Sequence, residues 1–314
     1  MNIIERLKQN AWRPLLPVVA VSALLLAMGA PITAQEEEES AEAQETNLPE
    51  PPDLRRWQCR NCPLVYGWRG SLLFGAGYVS DDFAEFGNFR GLDQQGIYGG
   101  LGIDLTWRAE DARYLDIYGE RLGLDSRTLA IELGKQGSHK FFIDWDQISQ
   151  YRADDTRSPF LGAGTSNQTL PAGWVLAGTT DGMTALEDSL QGIDIKRSRH
   201  TLRLGVEFGG TTPWRYRADV QRSTRNGNAI RGASFIFRAV ELAAPIDYRT
   251  TRFDTSIAYV QERWQLEAAY NVSLFENDNE SLQWENPFTG IFGAQLGQLA
   301  EQPDNQFHQF MLTG

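Results

Sequence analysis

Apolar and polar residues alternate with a period of two along most of the chain, which places alternate side chains on opposite faces of a β-strand. In residues 199–208, Leu202, Leu204 and Val206 occupy one face, and Arg203 and Glu207 occupy the other. The same alternation elsewhere predicts ten strands in all. Their expected ranges are 68–79, 96–107, 112–121, 126–134, 138–147, 199–208, 213–221, 250–261, 263–274 and 306–314.

The length of these strands separates two all-β architectures. Strands of soluble proteins usually have about 5–6 residues, whereas a tilted strand of about 9–11 residues crosses a membrane, and the predicted strands match the second case. The polar face carries charges that a soluble core would not accept: Asp104, Glu132, Arg203, Arg217, Asp219 and Glu267. Tryptophans near strand ends match the aromatic girdles of outer-membrane barrels: Trp68, Trp107, Trp145, Trp214 and Trp264. The sequence therefore predicts an all-β fold, a transmembrane antiparallel outer-membrane β-barrel, with about ten strands of a larger barrel in residues 68–314.

The predicted connections alternate in length along the chain. Those near 108–111, 135–137, 210–212 and 262 are short, and every long one, including 148–198, 224–249 and 276–305, falls between them at the other edge. Outer-membrane barrels have short periplasmic turns and long external loops. We therefore expect a bacterial outer-membrane protein whose N-terminus is periplasmic.

The residues before the first strand divide into three segments. Residues 1–34 combine a basic start with the apolar run 15–30 and small residues at a cleavage site, which predicts a signal peptide. A transmembrane anchor is the alternative, but the apolar run is shorter than the roughly 20 residues of a spanning helix. Residues 35–54 carry eight acidic side chains and a proline cluster, typical of a disordered periplasmic tether. The chain has a net charge of −12, and much of it lies in this tether. The mildly acidic remainder gives no reason to expect a nucleic-acid partner.

Residues 55–67 contain the only two cysteines of the chain, in the sequence WQCRNCPLVYGW at 57–68. Haem attachment requires a histidine after the second cysteine, but Pro63 follows Cys62. A zinc site requires four ligands, and the histidines, His139, His200 and His308, lie on distant predicted strands. A thioredoxin-like motif belongs in a βαβ unit, which the pattern does not contain. Cys59 and Cys62 are therefore expected to form a local disulfide, favoured by an oxidising compartment, or to stay reduced.

No set of residues in the sequence predicts catalysis. The acidic pairs Asp81–Asp82 and Asp154–Asp155 fall in predicted external loops, where solvation explains them better than cation binding. No nucleophile lies beside a suitable histidine, and no phosphate-binding loop or haem ligand set is found. We expect a protein that is not an enzyme and that binds no cofactor or metal itself.

Several sequence blocks together resemble the MtrB/PioB family of decahaem-associated outer-membrane proteins. They are WQCRNCP, GYVSDDFAEFGNFRGL at 77–92, GLDSRTLAIELGKQGSHKFFIDWDQI at 123–148, LPAGWV at 170–175 and PDNQFHQ at 303–309. The resemblance covers most of residues 55–314. A Cys-x-x-Cys ahead of the first strand is similar to the version in metal-reducing relatives, so Cys59 and Cys62 match that position.

The resemblance implies a sheath that holds a periplasmic multihaem (decahaem) c-type cytochrome across the outer membrane. Electrons would pass between periplasm and cell exterior through haem c carried by that partner, with an extracellular multihaem cytochrome as a possible second partner. Family members are longer, and the chain stops within a predicted strand, so a C-terminal truncation is expected. A diffusion porin for small solutes is the main alternative, and an outer-membrane enzyme is a third.

Overall fold

The computed structural model describes residues 65–289 and 293–314, and within them the regular secondary structure is almost entirely β-strand. The predicted signal peptide, the predicted tether and both Cys59 and Cys62 lie outside the described residues. Thirteen strands form two sheets, and ten of them make one large sheet in the order β1-β2-β3-β4-β5-β7-β8-β9-β10-β13. Every neighbouring pair in this sheet is antiparallel. The sheet is open, with β1 and β13 at its edges.

The ten strands of the large sheet correspond one for one to the ten that the sequence predicts. They are β1 (Gly67–Val79), β2 (Gly96–Arg108), β3 (Arg113–Leu122), β4 (Arg127–Lys135), β5 (His139–Ser158), β7 (Gln191–Phe208), β8 (Trp214–Phe235), β9 (Arg238–Val260), β10 (Gln265–Asn277) and β13 (Asn305–Thr313). The small sheet joins β6 (Asn167–Gln168), β11 (Ser281–Glu285) and β12 (Leu296–Ala300) in the order β12-β11-β6.

Among the described residues, helical structure is confined to single turns. They are α1 (Ala84–Gly87), a 3-10 turn (Thr180–Gly182) and α2 (Leu186–Ser189). Across residues 65–289 and 293–314, none of the helices has the length and apolar character needed to cross a membrane.

The strand register confirms that the sheet has one charged and one apolar face. Cross-strand neighbours share a face, and Asp144 faces Arg203 while Ile143 faces Leu204. Following the register from strand to strand places all six predicted polar-face charges on the same side of the sheet. In a transmembrane barrel the apolar side faces lipid, so we call the charged side the inner face and the apolar side the outer face.

Aromatic side chains of the outer face line the edge where the turns are short. Trp68 contacts Trp107 with ring centroids 6.5 Å apart, and Trp214 contacts Tyr259 at 4.7 Å. The ring centroid of Trp264 lies 5.3 Å from that of Tyr259. This row is the aromatic girdle that the tryptophans predict. Trp145 differs, because β5 continues beyond it to Ser158.

Two predicted long loops are wrong in part, because the strands extend into them. The predicted loop 224–249 is a continuation of β8 and β9, closed by a two-residue turn at Ile236 and Phe237. The predicted loop 148–198 is shortened at both ends by β5 and β7. On the outer face of β8 the unbroken run of apolar positions ends at Val220, and Arg222 follows on that face. The eight residues 214–221 are close to the roughly 9–11 residues with which a tilted strand crosses a membrane.

The hairpin beyond this band, residues 223–250, we call the β8–β9 extension. It stands at the edge of the sheet where the long connections lie. The main hydrophobic cluster of buried residues is located there and not between the membrane-spanning strands. This location fits a barrel wall, which is one sheet thick and has lipid on its outer side.

Candidate functional site: the inner wall

The inner face carries a belt of ion pairs across six neighbouring strands, from β2 to β8, in which a hydrogen bond joins β3 to β4. We call it the charged belt: Arg108, Asp116, Glu132, Lys140, Arg203, Glu207, Arg217 and Asp219. These positions alternate with apolar outer-face residues along each strand. The period-two pattern therefore aims all eight side chains into the lumen.

The first half of the belt connects β2 to β5. Arg108 Nη1 lies 2.6 Å from Asp116 Oδ1 on β3. Tyr114 donates its hydroxyl hydrogen to Glu132 Oε1 on β4 over 2.8 Å. Lys140 Nζ on β5 lies 3.7 Å from Glu132 Oε2. Each strand is thus joined to the next by a polar contact in addition to the backbone ladder.

The second half of the belt connects β5 to β8. Lys140 Nζ lies 3.2 Å from Glu207 Oε2 on β7, and Arg217 Nη1 on β8 lies 3.1 Å from Glu207 Oε1. Arg217 Nε also lies 3.3 Å from Asp219 Oδ1, and Arg203 binds the same carboxylate from β7. Asp219 is the buried member, with a side chain only 3% exposed. Its two arginine partners supply the hydrogen bonds that a buried carboxylate requires.

Phe142 packs beneath the belt and is buried on the inner face of this wall. Arg203 lies over its ring at 5.1 Å and Lys140 at 5.7 Å, both within cation–π range. Gly205 faces Phe142 on the neighbouring strand, and a Cβ at Gly205 would collide with the ring. The absence of a side chain at Gly205 therefore lets Phe142 lie flat against the sheet.

A recess of about 760 Å³ opens on the inner face near the short-turn edge. Its lining includes belt residues, the turn residues 135–140 and, on β10, Glu267. A second recess of about 270 Å³ lies beside it around Phe142. On the exposed β2–β3 turn at the same edge, the hydrogen bond from Arg113 lowers the pKa of Asp111. This part of the wall is polar and open, unlike an enclosed ligand pocket.

The structure brings together some predicted residues and separates others. Glu132, Arg203, Arg217 and Asp219 belong to the charged belt, whereas Asp104 and Glu267 lie on the inner face outside its ion pairs. The three histidines are dispersed, as predicted: His139 packs against Phe141, and His308 Nδ1 lies 2.9 Å from the Tyr270 hydroxyl. In the part of the chain that the structure describes, no group of His, Cys, Asp and Glu is arranged to hold a metal ion.

Sequence reasoning missed the partners that complete the belt. Arg108, Asp116 and Lys140 were not singled out, although each occupies a polar-face position of a predicted strand, and Glu207 was placed on the polar face without a partner. The alternation could have found them as inner-face residues. Their pairing required the register.

Comparison with known proteins agrees with this fold. The model of the MtrB/PioB family, described as outer membrane beta-barrel porins, matches residues 78–314. Over 262 residues the chain is 30% identical to the protein named outer membrane protein MtrB of Shewanella baltica (strain OS185). That alignment covers 83% of this chain and 38% of the relative, so the chain spans less than half of the relative's length. The chain belongs to the MtrB/PioB family of outer-membrane β-barrel porins.

Proposed function

We propose that the protein forms part of a sheath that holds a periplasmic multihaem (decahaem) c-type cytochrome across the outer membrane. In this role the protein binds no cofactor itself and catalyses no reaction, and haem c is carried by the partner. The N-terminus and the short turns face the periplasm, and the long connections face the cell exterior. An extracellular multihaem cytochrome is a second partner that this arrangement would admit.

The observation that carries the proposal is the charge pairing of the inner wall. The belt contains four cations and four anions, and each one lies within an ion pair. Ion-selective pores present rings of one charge sign. The charges of the belt neutralise each other and present no such ring, so this part of the wall can lie against a protein without a large desolvation cost for an unpaired charge. This favours a passive wall over a selective pore.

The size of the lumen adds a requirement to the proposal. Eight-stranded barrels are filled by their own side chains, and roughly 16–18 strands enclose an open channel. The ten strands of the large sheet are open at both edges. A lumen that accepts a folded cytochrome therefore needs strands in addition to these ten.

Purification from the native outer membrane tests the proposal. The complete protein, isolated through an affinity tag, should carry a co-purifying polypeptide with the absorbance of c-type haem. Liposomes containing this complex should pass electrons from an external reductant to an enclosed dye. A colourless preparation that instead lets small solutes through would support the diffusion porin and contradict the sheath.

A further inference from the structure

The β8–β9 extension carries an apolar strip on its inner face. The pairing of β8 with β9 runs from Trp214–Tyr259 to Phe235–Arg238 without a register shift. The alternation of faces therefore continues unchanged into the extension. Its odd-numbered positions on β8 and even-numbered positions on β9 lie on the same face of the sheet as Asp219 and Asp254. The buried residues of the strip are Ala233, Phe235, Val240, Leu242 and Ala244. An apolar strip on this side faces the barrel axis and not the lipid.

Two long connections cover this strip. The β5–β7 connection contributes Phe160, and the β10–β13 connection contributes Leu282 and Trp284; all three side chains are buried in the same cluster. Trp284 meets Phe235 edge-on, with ring centroids 5.8 Å apart. The small sheet of β6, β11 and β12 joins the two connections to each other. We call the covering layer, residues 159–170, 278–289 and 293–301, the cap.

Polar contacts also anchor the cap to the extension. Arg231 Nη1 lies 2.6 Å from Glu301 Oε1, and the Glu301 side chain is 1% exposed. Gln168, which is fully buried, donates from Nε2 to the Ala243 carbonyl over 2.7 Å. The Gly164 amide donates to the same carbonyl over 2.8 Å. A buried carboxylate without its arginine would be costly, so Arg231 and Glu301 hold the cap in one position.

We propose that the cap narrows the mouth of the barrel at the edge where the long connections lie. Because it is packed on the inner face, the cap occupies space above the lumen that bare strands would leave open. Its own hydrophobic cluster makes it a folded layer with a fixed position. The width of this mouth is therefore set by the cap as well as by the number of strands. The inference concerns the protein alone and does not depend on a partner in the lumen.

Removal of the larger segment of the cap, the one from the β10–β13 connection, is the direct test. β10 and β13 are paired up to Phe275 and Asn305, so a short Gly-Ser turn can replace residues 278–303 without separating the strands. The complete protein, purified without any partner and placed in liposomes, should let larger sugars enter after this replacement, with swelling rates several-fold higher. An unchanged size limit in a variant that still assembles as a barrel would overturn the inference.

Two alanines on the same hairpin allow attachment of the cap to be measured by cysteine labelling, one as the probe and the other as its control. Ala233 is buried under the cap, whereas Ala239 is exposed on the outer face. With Cys59 and Cys62 replaced by serine, Ala233→Cys should resist a bulky maleimide and Ala239→Cys should react. Equal labelling of both cysteines would contradict the cap.

Charge-reversal variants distinguish detachment of the cap from a failure of the barrel to assemble. Arg231→Glu should expose Ala233→Cys and raise sugar entry, because it places a second carboxylate against buried Glu301. The exchange Arg231→Glu with Glu301→Arg should restore both. Arg249→Glu makes the same charge change on the outer face, where Arg249 Nη1 lies 3.4 Å from Glu276, and should leave sugar entry unchanged. Exposure of Ala233→Cys by Arg231→Glu with no rise in sugar entry would overturn the proposed narrowing.

Discussion

Arg203 on β7 binds Asp219 on β8 through two parallel hydrogen bonds, Nε to Oδ2 and Nη2 to Oδ1, each 3.0 Å long. The two residues are not direct cross-strand partners, since Arg203 faces Gln221 and Asp219 faces Gly205. The pair is therefore diagonal, and glycine at position 205 leaves room for it. Planar two-bond geometry of this kind is specific to arginine.

We expect Arg203→Leu to destabilise the barrel by about 1–3 kcal/mol, the cost of removing a partner from a buried polar group. Arg217 still contacts Asp219, so the loss should stay within this range. Arg203→Lys should recover only part of it, because an ammonium group cannot form both bonds. Denaturant unfolding in vesicles measures the change. Arg199→Leu is the control, since Arg199 lies on the same face of β7 and forms no ion pair among the described residues; an equal effect from both would contradict the prediction.

We expect Leu204→Arg to destabilise the barrel by about 2–4 kcal/mol, as for a cation near the bilayer midplane. Leu204 lies on the outer face, where it pairs with Ile143 and Val220. Thr201→Arg introduces the same side chain three residues away on the inner face and should cost much less. The same unfolding measurement compares the two. If both variants assemble and unfold alike, the assignment of lipid and lumen faces is wrong.

The sequence predicts the ten membrane strands well because lipid on one side and a polar lumen on the other impose a strict period of two. It fails for the upper parts of β8 and β9, where that contrast ends. Asn226, Gly227 and Asn228 interrupt the alternation on β8. Pro245 lies inside β9 opposite Asn228, and a proline within a run argues against a strand. The cap could not be predicted for a related reason, since its buried residues come from segments distant in the chain.

The charged belt shows a second limit of sequence reasoning. Alternation assigns Glu207 and Arg217 to the inner face, but it does not say that they are cross-strand neighbours. That requires the register between β7 and β8, which depends on the length of the turn between them. Diagonal pairs such as Arg203 with Asp219 require the local twist as well. The faces could be predicted from the sequence, and the network could not.

We expect the long connections to be external and the short turns periplasmic. An epitope inserted after Gly173, in an exposed turn of the β5–β7 connection, should bind antibody on intact cells. An epitope inserted at 210–212, in the short β7–β8 turn, should bind antibody only after the outer membrane is permeabilised. Both sites lie outside regular strands, so neither insertion should prevent assembly. The opposite labelling pattern would invert the orientation.

We expect the cysteine pair to act before the complex is complete and not in electron transfer. A disulfide between Cys59 and Cys62 closes a very small loop, so its entropic stabilisation of the barrel should be small. Thiol–disulfide exchange is a two-electron reaction, whereas a chain of haems passes single electrons. The pair is better suited to recognition by periplasmic oxidoreductases or proteases during maturation.

Replacement of both cysteines by serine should therefore leave electron transfer through the purified complex nearly unchanged. The amount of protein in the outer membrane, or its dependence on periplasmic redox enzymes, should change instead, as measured by immunoblot. A double variant that assembles at the normal level and binds its cytochrome, yet passes no electrons, would show that the cysteines serve conduction.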